Sequence, residues 1–314
     1  MNKKYIINNL LEGQGLGNQL WCIFTTIGLS EKFKDTIPII GNWKYFKGNE
    51  IFDFKNIELN LNKIISNKII NLKPKYDLFT AHDFSEFDFN RLKLLLNSSY
   101  STEITGHLQF SKYLPKDIFK YFNFLFDSND QDESCIIHVR GGDYLKTATW
   151  AGKYYYEPCL NEAKIPKSYN MNVISDDTRF AKKLFPKYKI LKNVSSSSDK
   201  KRSLHHIGDG IVEDFKMIYR AKINIIPSST FSFWPAYLSK IKFGKNKKVF
   251  APRNWFSHRF PNLECSPSNY SEIPFKFIKP KNKNLILLPL IKSKYRLPPR
   301  LYRIIYIILS LNYK

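Results

Sequence analysis

The segment HVRGGDY, residues 138–144, places an imidazole, a guanidinium and a carboxylate close together, on His138, Arg140 and Asp143. His138 and Arg140 end an apolar run two residues apart, so both side chains lie on one face of a predicted strand. An arginine at a strand end can bind phosphate oxygens through paired hydrogen bonds, and it keeps its charge. We therefore expect Arg140 to bind a phosphorylated ligand. Asp143 either pairs with Arg140 structurally or orients it toward that ligand.

A glycine-rich segment, GQGLGNQ at residues 13–19, lies between an apolar run and a helical pattern. Gly15 and Gly17 allow close backbone approach, and a helix N-terminus attracts anions. The segment is not a GxGxxG loop, because Asn18 stands at the position of the last glycine, and it lacks the Gly-Lys-Ser/Thr ending of a P-loop. The spacing is equally typical of a ligand-binding loop and of a tight turn without a ligand.

The segment SDD follows another apolar run and consists of Ser175, Asp176 and Asp177. Adjacent carboxylates can bind Mg²⁺. A helical pattern begins directly afterwards, and Ser175 or Asp176 can cap its N-terminus, which we favour over a metal site. All three residues are kept as candidates for ligand binding.

A fourth polar turn, SSTFS, connects a strand pattern with a helical pattern. Hydroxyl groups and free backbone amides at such a turn suit a diphosphate. Asp214, within a predicted helix, is either a surface charge or a hydrogen-bond acceptor for a ligand. The hydroxyl-bearing residues of the turn are Ser228, Ser229, Thr230 and Ser232.

The elements that position these residues alternate between short apolar runs and longer mixed segments, as in α/β units. All four polar turns follow predicted strands, and ligands bind open α/β sheets at the carboxyl ends of the strands. Residues 38–125 have weak periodicity and predict no element. We predict strands at 5–13, 135–140, 172–177, the start of 223–239 and 247–252, and helices at 16–33, 154–164, 178–185, 211–222 and the end of 223–239.

Composition limits the class of protein. With 314 residues, 43% of them hydrophobic, the chain can form one large domain or two. A net charge of +23 favours anionic partners: nucleic acid, an acidic membrane or a phosphorylated small molecule. A nucleic-acid binder should also show a basic stripe with interleaved aromatics or a recognised module, and we find neither. The four cysteines are far apart, which favours a reduced, cytosolic protein, and no apolar run is long enough for a transmembrane helix.

Taken in order, these segments resemble the motifs of the alpha-1,2-fucosyltransferases, glycosyltransferase family 11. GLGNQL, HVRGGDY, SDD and NIIPSSTFSFWPAYL stand where those proteins carry patterns like GGLGNQMFQ, HVRRGDY, FSDD and NSTFSWWGAWL. The resemblance spans residues 13–255 and includes APRNW, which is similar to a Pro-x-x-Trp segment of the family. Each motif alone is weak, whereas four in order with similar separations are specific.

The resemblance implies an α/β fold of the GT-B type, with two Rossmann-like halves and a cleft between them. It implies an acceptor-side half at residues 1–130 and a donor half at 131–275, followed by a basic amphipathic tail at 276–314. The implied donor is GDP-fucose, and the implied transfer is inverting and independent of metals and other cofactors.

The resemblance also assigns roles to individual residues. Arg140 matches the arginine expected on the donor diphosphate, with His138 and Asp143 as its motif neighbours, and Asn18 is expected near the sugar or the departing phosphate. The second arginine of HVRRGDY is Gly141 here, which leaves the donor sugar open. Guanine, ribose or phosphate contacts are implied for Asp176, Asp177, Ser229, Thr230 and Ser232. A further departure from the family pattern places Pro235 early in the following helix, where proline is tolerated.

The resulting hypothesis is transfer of L-fucose from GDP-β-L-fucose to the 2-hydroxyl of a galactoside in a bacterial surface glycan of the O-antigen type. Arg140 and Asp143 are the expected catalytic residues, and Asp143 and Glu12 are the candidates for the general base. The alternatives are a transferase that uses another nucleotide sugar and a nucleic-acid-binding protein without enzymatic activity.

The C-terminal segment predicts a further partner. Its basic flanks and short apolar run suit an anionic cytoplasmic leaflet, and a helix docked on the protein explains the pattern equally well. We expect a cytoplasmic protein, peripheral on the inner face of the bacterial inner membrane, that acts on a galactose-terminated glycan such as a lipid-linked one and binds no nucleic acid.

Overall fold

The structure, a computed structural model, consists of two compact units, each with its own sheet. One unit comprises Met1–Asn129 and Pro267–Ile273, and the other comprises Asp130–Ser266 and Pro274–Lys314. The structure describes residues 4–54, 69–72, 93, 97, 101–104, 108–109, 111–123, 130–141, 153–191, 209–253 and 272–278.

The first unit is a layer of parallel strands with a long helix. Its elements are β1 (Lys4–Asn9), α1 (Leu16–Lys32), β2 (Thr36–Gly41), β3 (Ile69–Leu72) and β4 (Ser101–Ile104). All pairings are parallel, in the order β2-β1-β4-β3. The neighbouring residues Ile6 and Ile7 of β1 point to opposite faces and are both buried, as expected for a parallel strand that is covered on each face.

The second unit alternates strands and helices. Its elements are β5 (Asp132–Val139), α2 (Lys153–Ala163), β6 (Asn170–Ser175), α3 (Thr178–Leu184), β7 (Lys189–Ile190), α4 (Asp209–Arg220), β8 (Ala221–Ile225), α5 (Thr230–Phe243), β9 (Lys248–Pro252) and β10 (Lys276–Ile278). The inner residues of β5, Cys135, Ile137 and Val139, are fully buried in the core of this unit together with aromatic residues of α2.

The strand order of the second unit is that of a Rossmann fold. Its six strands are all parallel and run β7-β6-β5-β8-β9-β10 across the sheet. Numbered from β5, this is the order 3-2-1-4-5-6, in which the chain changes direction between the first and fourth strands. The switch point therefore lies between β5 and β8, and ligands of such sheets bind outside the carboxyl ends of these strands.

The predicted α/β class is confirmed: each of the two units has a parallel sheet, and the second has the strand order of a Rossmann fold. The helices and strands predicted for the second unit are all present, displaced at their ends by a few residues. Three strands of the first unit, β2 to β4, were missed within the weakly periodic region. The segment 247–252 is not the last strand, because Lys276–Ile278 adds β10 at the edge. Residues 279–314 of the predicted tail lie outside the described residues.

Two further observations concern the helices. Pro235 lies in the second turn of α5, not in the first, so it removes one internal hydrogen bond from this buried helix. Across the described ranges, no helix combines the length and the apolar character needed to cross a membrane.

A buried lysine closes the C-terminal end of α4. Lys247 is fully buried, and its Nζ donates hydrogen bonds to the carbonyl oxygens of Ile218 (2.9 Å), Tyr219 (3.2 Å) and Ala221. Burial lowers the pKa of Lys247 well below its usual range. The same helix end also receives hydrogen bonds from the side chains of Asn224 and Ser239. The last carbonyls of a helix have no partner within it, so these side chains satisfy them.

We expect Lys247→Met to destabilise the protein by about 2 kcal/mol, because a buried carbonyl loses its hydrogen-bond donor. Urea unfolding followed by circular dichroism measures the change. Lys245→Met, two residues away at an exposed position, is the control and should have no effect. Equal stability of the two variants would contradict a capping role for Lys247.

Candidate functional site

The turns HVRGGDY and SSTFS begin at the switch point of the second unit. Arg140 follows β5 directly, and Ser228 and Ser229 follow β8. The imidazole ring of His138 lies 6.2 Å from the ring of Phe231 in the first turn of α5, which places the two segments side by side. The third turn, SDD, ends β6 on the other side of β5.

The guanidinium of Arg140 is held by Asp176. Arg140 Nη1 lies 2.8 Å from Asp176 Oδ2, and the backbone N–H of Gly141 donates to Asp176 Oδ1 at 2.8 Å. The Asp176 side chain is 11% exposed and that of Arg140 is 33% exposed. An acidic partner for Arg140 was expected in Asp143, which lies outside the described residues. The partner that the structure shows comes from SDD, so two of the predicted segments form one cluster.

The helix cap of SDD is provided by its last residue. Asp177 is the N-cap of α3, and its Oδ1 accepts a hydrogen bond from the backbone N–H of Phe180 at 2.9 Å. The expectation that Ser175 or Asp176 caps the helix was wrong. Ser175 Oγ instead accepts a hydrogen bond from the backbone N–H of Asp177 at 3.0 Å. The two carboxylates thus have separate tasks, one on Arg140 and one on α3, rather than converging on a single cation.

His138 is buried in an uncharged form. It is 5% exposed, and its Nδ1 has no hydrogen-bond partner among the described residues. Burial, together with the nearby positive charge of Arg140, lowers the pKa of His138 to about 3. A neutral imidazole therefore stands beside the guanidinium at neutral pH.

Two tyrosines of α2 fix the strand ends at the switch point. The hydroxyl of Tyr156 donates to the carbonyl oxygen of His138 at 2.9 Å. The hydroxyl of Tyr155 donates to the carbonyl oxygens of Ile226 at 2.6 Å and Phe250 at 3.1 Å. Burial raises the pKa of both phenols well above the usual range, so they remain hydrogen-bond donors. The sequence reasoning missed these residues; adjacent tyrosines on a predicted helix were their only signal.

The residues around the SSTFS turn are more buried than the sequence suggested. Asp214 in α4 is 5% exposed, so its interpretation as a surface charge was wrong. Ser232 is fully buried and donates to the carbonyl oxygen of Ser229, a contact within the helix. Ser229 is the N-cap of α5, yet its side chain makes no capping hydrogen bond. Ser228 is also buried, and Thr230 is partly exposed at the first position of α5.

The glycine-rich segment forms the predicted strand-to-helix turn of the first unit. Gly13 has a φ of 86°, and Gly15 is the N-cap of α1. Gly17 is buried within the first turn of the helix. Asn18 Oδ1 accepts a hydrogen bond at 3.4 Å from Nε2 of Gln109, which follows β4. The turn therefore lies at the carboxyl end of the central strands of its own sheet.

Gly15 has a property that a tight turn does not require. Its φ of −70° and ψ of 151° are open to any residue, and a Cβ atom built on it meets nothing within 4 Å. Glycine is among the residues favoured at the N-cap of a helix, which is the position of Gly15. Its lack of a side chain leaves the backbone uncovered at this point.

Comparison with known proteins assigns the chain to a family. The model of glycosyl transferase family 11 matches residues 24–270, which includes HVRGGDY, SDD and SSTFS and begins after the glycine-rich segment. The chain belongs to glycosyl transferase family 11. The resemblance to glycosyltransferase family 11 stated from the motifs is thereby confirmed, while the matched relative named below is covered over only about two fifths of its length.

Individual relatives of this family 11 protein are distant. The O-antigen biosynthesis glycosyltransferase WbnK of Escherichia coli is 27% identical over 132 residues, which is 38% of this chain and 38% of WbnK. The fucosyltransferase NodZ from Bradyrhizobium aligns with a TM-score of 0.44 and 12% identity over 76% of this chain and 93% of NodZ. A NodZ alpha-1,6-fucosyltransferase structure soaked with GDP-fucose gives a TM-score of 0.45 and 14% identity over 74% and 92% of the two chains.

The departure from the family 11 pattern at Gly141 has a packing cause. A Cβ atom on Gly141 would lie 2.7 Å from Asp177 Cβ and 3.2 Å from a ring carbon of Phe180. Asp177 cannot withdraw freely, because its carboxylate caps α3. The arginine that HVRRGDY carries at this position therefore does not fit here while α3 keeps its cap.

We expect Gly141→Ala to lower the free energy of unfolding by about 2 kcal/mol, since the added methyl group overpacks against an anchored side chain. Gly15→Ala is the control, and its free energy of unfolding should change by less than about 0.5 kcal/mol. Alanine is a poorer N-cap than glycine, which destabilises the protein, but it also lowers the entropy of the unfolded chain, which stabilises it. Urea unfolding measures both. A Gly141→Ala protein as stable as the wild type would show that Asp177 moves aside without loss of stability.

Buried neutral His138 predicts a loss of stability in acid. Its folded-state pKa of about 3 lies below the ordinary value of 6.5, so below pH 6.5 the unfolded chain binds a proton that the folded chain does not. Between pH 6 and pH 5 the wild type should lose about 1 kcal/mol more stability than His138→Asn. As a second measurement, the His138 ring proton resonance, assigned by its absence in the variant, should not shift over this range. A midpoint near pH 6.5 would contradict the neutral form.

Proposed function

We propose that this family 11 glycosyltransferase moves L-fucose from GDP-β-L-fucose to the 2-hydroxyl of a galactoside, with inversion at the anomeric carbon. The observation that carries the proposal is the place of Arg140. Its guanidinium stands at the carboxyl end of β5, at the switch point of a sheet with Rossmann strand order, where nucleotides bind.

The donor's diphosphate is the group that the switch point suits. Arg140 provides a permanent positive charge, and the first turn of α5 provides backbone N–H groups that have no partner within the helix. In the transfer, the bond between the anomeric carbon and the diphosphate oxygen breaks while the acceptor oxygen bonds to that carbon. Negative charge grows on the diphosphate, and these donors stabilise it.

No metal ion is required in this proposal. Arg140 takes the role that Mg²⁺ has in other nucleotide-sugar transferases, and the carboxylates that could have held a cation are engaged elsewhere. Asp176 binds Arg140 and Gly141, and Asp177 caps α3.

The acceptor hydroxyl loses its proton to a base as it attacks. Asp143 and Glu12 remain the candidates. Glu12 is exposed in the turn between β1 and α1, on the carboxyl side of the first unit's sheet. Asp143 follows Arg140 by three residues in the sequence and lies outside the described residues.

The biological setting is proposed from composition and from one relative. WbnK is a glycosyltransferase of O-antigen biosynthesis. A bacterial surface glycan of this type, terminated by galactose and carried on a lipid, is the proposed acceptor. The excess of 23 positive charges and the basic segment at 276–314 support a cytoplasmic protein that contacts the anionic inner membrane peripherally.

A different nucleotide sugar is the second candidate for the donor. Gly141 favours it, because this chain lacks the second arginine of HVRRGDY and the packing against Asp177 keeps it absent. The nucleobase and the sugar are therefore tested separately.

We expect GDP, GDP-fucose and GDP-mannose to raise the melting temperature of the wild-type protein, and UDP-galactose to leave it unchanged. GDP-fucose should give transfer to a galactoside and GDP-mannose none. Stabilisation by UDP-galactose alone would contradict the guanine nucleotide donor. Transfer from GDP-mannose alone would keep the nucleotide and replace the sugar.

Arg140→Ala should reduce transfer at least 10²-fold, equivalent to about 3 kcal/mol of transition-state stabilisation. Arg140→Lys keeps the charge and loses the paired donors, so its transfer rate should lie between those of the wild type and Arg140→Ala. The control is Arg179→Ala, which removes an exposed guanidinium from α3 of the same unit and should transfer normally. Near-normal turnover of Arg140→Ala would remove Arg140 from the site.

A further inference from the structure

We propose that Asp176 is a positioning residue that holds the guanidinium of Arg140 for the departing diphosphate, and that it does not bind the nucleotide itself. The inference rests on the proposed function. It replaces one expectation from the family resemblance, which implies a donor contact for Asp176. The basis is the direction of the two oxygens of this carboxylate.

Both oxygens of Asp176 are engaged by the chain. Oδ2 lies 2.8 Å from Arg140 Nη1, and Oδ1 accepts the backbone N–H of Gly141 at 2.8 Å. A carboxylate that is bound through both oxygens has one orientation, so it fixes the guanidinium and the first peptide of the following turn together. With the residue 9% exposed, little of Asp176 faces solvent or a ligand.

The backbone on each side of the pair is fixed by the sheet. Val139 and Ser175 are register partners on the parallel strands β5 and β6, so Arg140 and Asp176 are the next residues on each strand. Asp177 then caps α3, which anchors Asp176 from its other side. Each member of the pair therefore directly follows the end of a strand, and Asp176 also directly precedes the N-cap of α3.

The electrostatic effect of Asp176 argues against a role in binding the donor. Its negative charge weakens the attraction between Arg140 and a diphosphate. Such a carboxylate is useful only where the orientation of the guanidinium matters more than its net charge, as in stabilising charge that develops at one place in the transition state. Loss of this charge should therefore leave GDP binding intact or improve it while the transfer step slows.

The test is Asp176→Asn, which keeps an oxygen for the N–H of Gly141 and removes the charge. Calorimetry should give a GDP dissociation constant that is unchanged or lower. Single-turnover transfer from GDP-fucose should slow by roughly 10-fold to 10²-fold, the cost of a misplaced catalytic contact. In the Arg140→Ala background the same substitution should have no further effect, because the residue acts through Arg140.

Glu133→Gln is the control. It removes a negative charge from the exposed amino end of β5, the strand that Arg140 follows. GDP binding and transfer should both stay at the wild-type level. An equal slowing in this control would mean that loss of negative charge from this unit, not the position of Asp176, causes the effect.

Three outcomes would overturn the proposal. GDP binding that weakens tenfold or more in Asp176→Asn would show a direct donor contact. A normal transfer rate in the folded variant would show a structural role alone. A full additional loss of rate in the Arg140→Ala background would show that Asp176 acts independently of Arg140.

A measurement that does not depend on GDP distinguishes failure of the donor assignment from failure of the positioning role. If the wild type binds no GDP, the proposed donor falls, and the role of Asp176 is then measured on Arg140 itself. The Nε–Hε group of Arg140, assigned by its absence in Arg140→Ala, should have a high order parameter in the wild-type protein and a clearly lower one in Asp176→Asn. Equal order in both proteins would overturn the positioning role.

Discussion

The ion pair between Arg140 and Asp176 depends on the register of two parallel strands. Val139 opposite Ser175 brings both side chains to the same edge of the sheet, and β8 on the other side of β5 adds the SSTFS turn. Tyr155 and Tyr156 tie the ends of these strands to α2. A shift of one residue in either strand would send one partner of the pair to the opposite face. The geometry of the whole candidate site is therefore set by the sheet.

At the same edge, Arg140 is paired within the protein before any donor binds. Asp176 offsets the charge of Arg140, and His138 is held uncharged by burial beside it. In the proposed reaction an incoming diphosphate then meets one guanidinium that is already paired. Part of its charge must be stabilised by oriented dipoles, for which the N-terminus of α5 is placed.

Much of the second unit could be predicted from sequence, because its strands are continuous apolar runs followed by polar turns. CIIHVR and NVIS are examples, and their ends identified the candidate site. Three strands of the first unit were missed, because short strands such as Ser101–Ile104 are apolar only in part and depend on their neighbours for burial. Partners distant along the chain could not be predicted either. Nothing in the sequence indicates that Lys247 closes α4, or that Arg140 pairs with a residue 36 positions later.

The contact between Gly141 and Asp177 also makes these two positions depend on each other during evolution. Arginine at 141 requires that Asp177 withdraws, and withdrawal of its carboxylate removes the cap of α3. Asparagine at 177 can still cap the helix, but it keeps the Cβ atom that a side chain at 141 would meet. A second arginine in this segment therefore needs a change in the packing of α3 as well as the change at position 141.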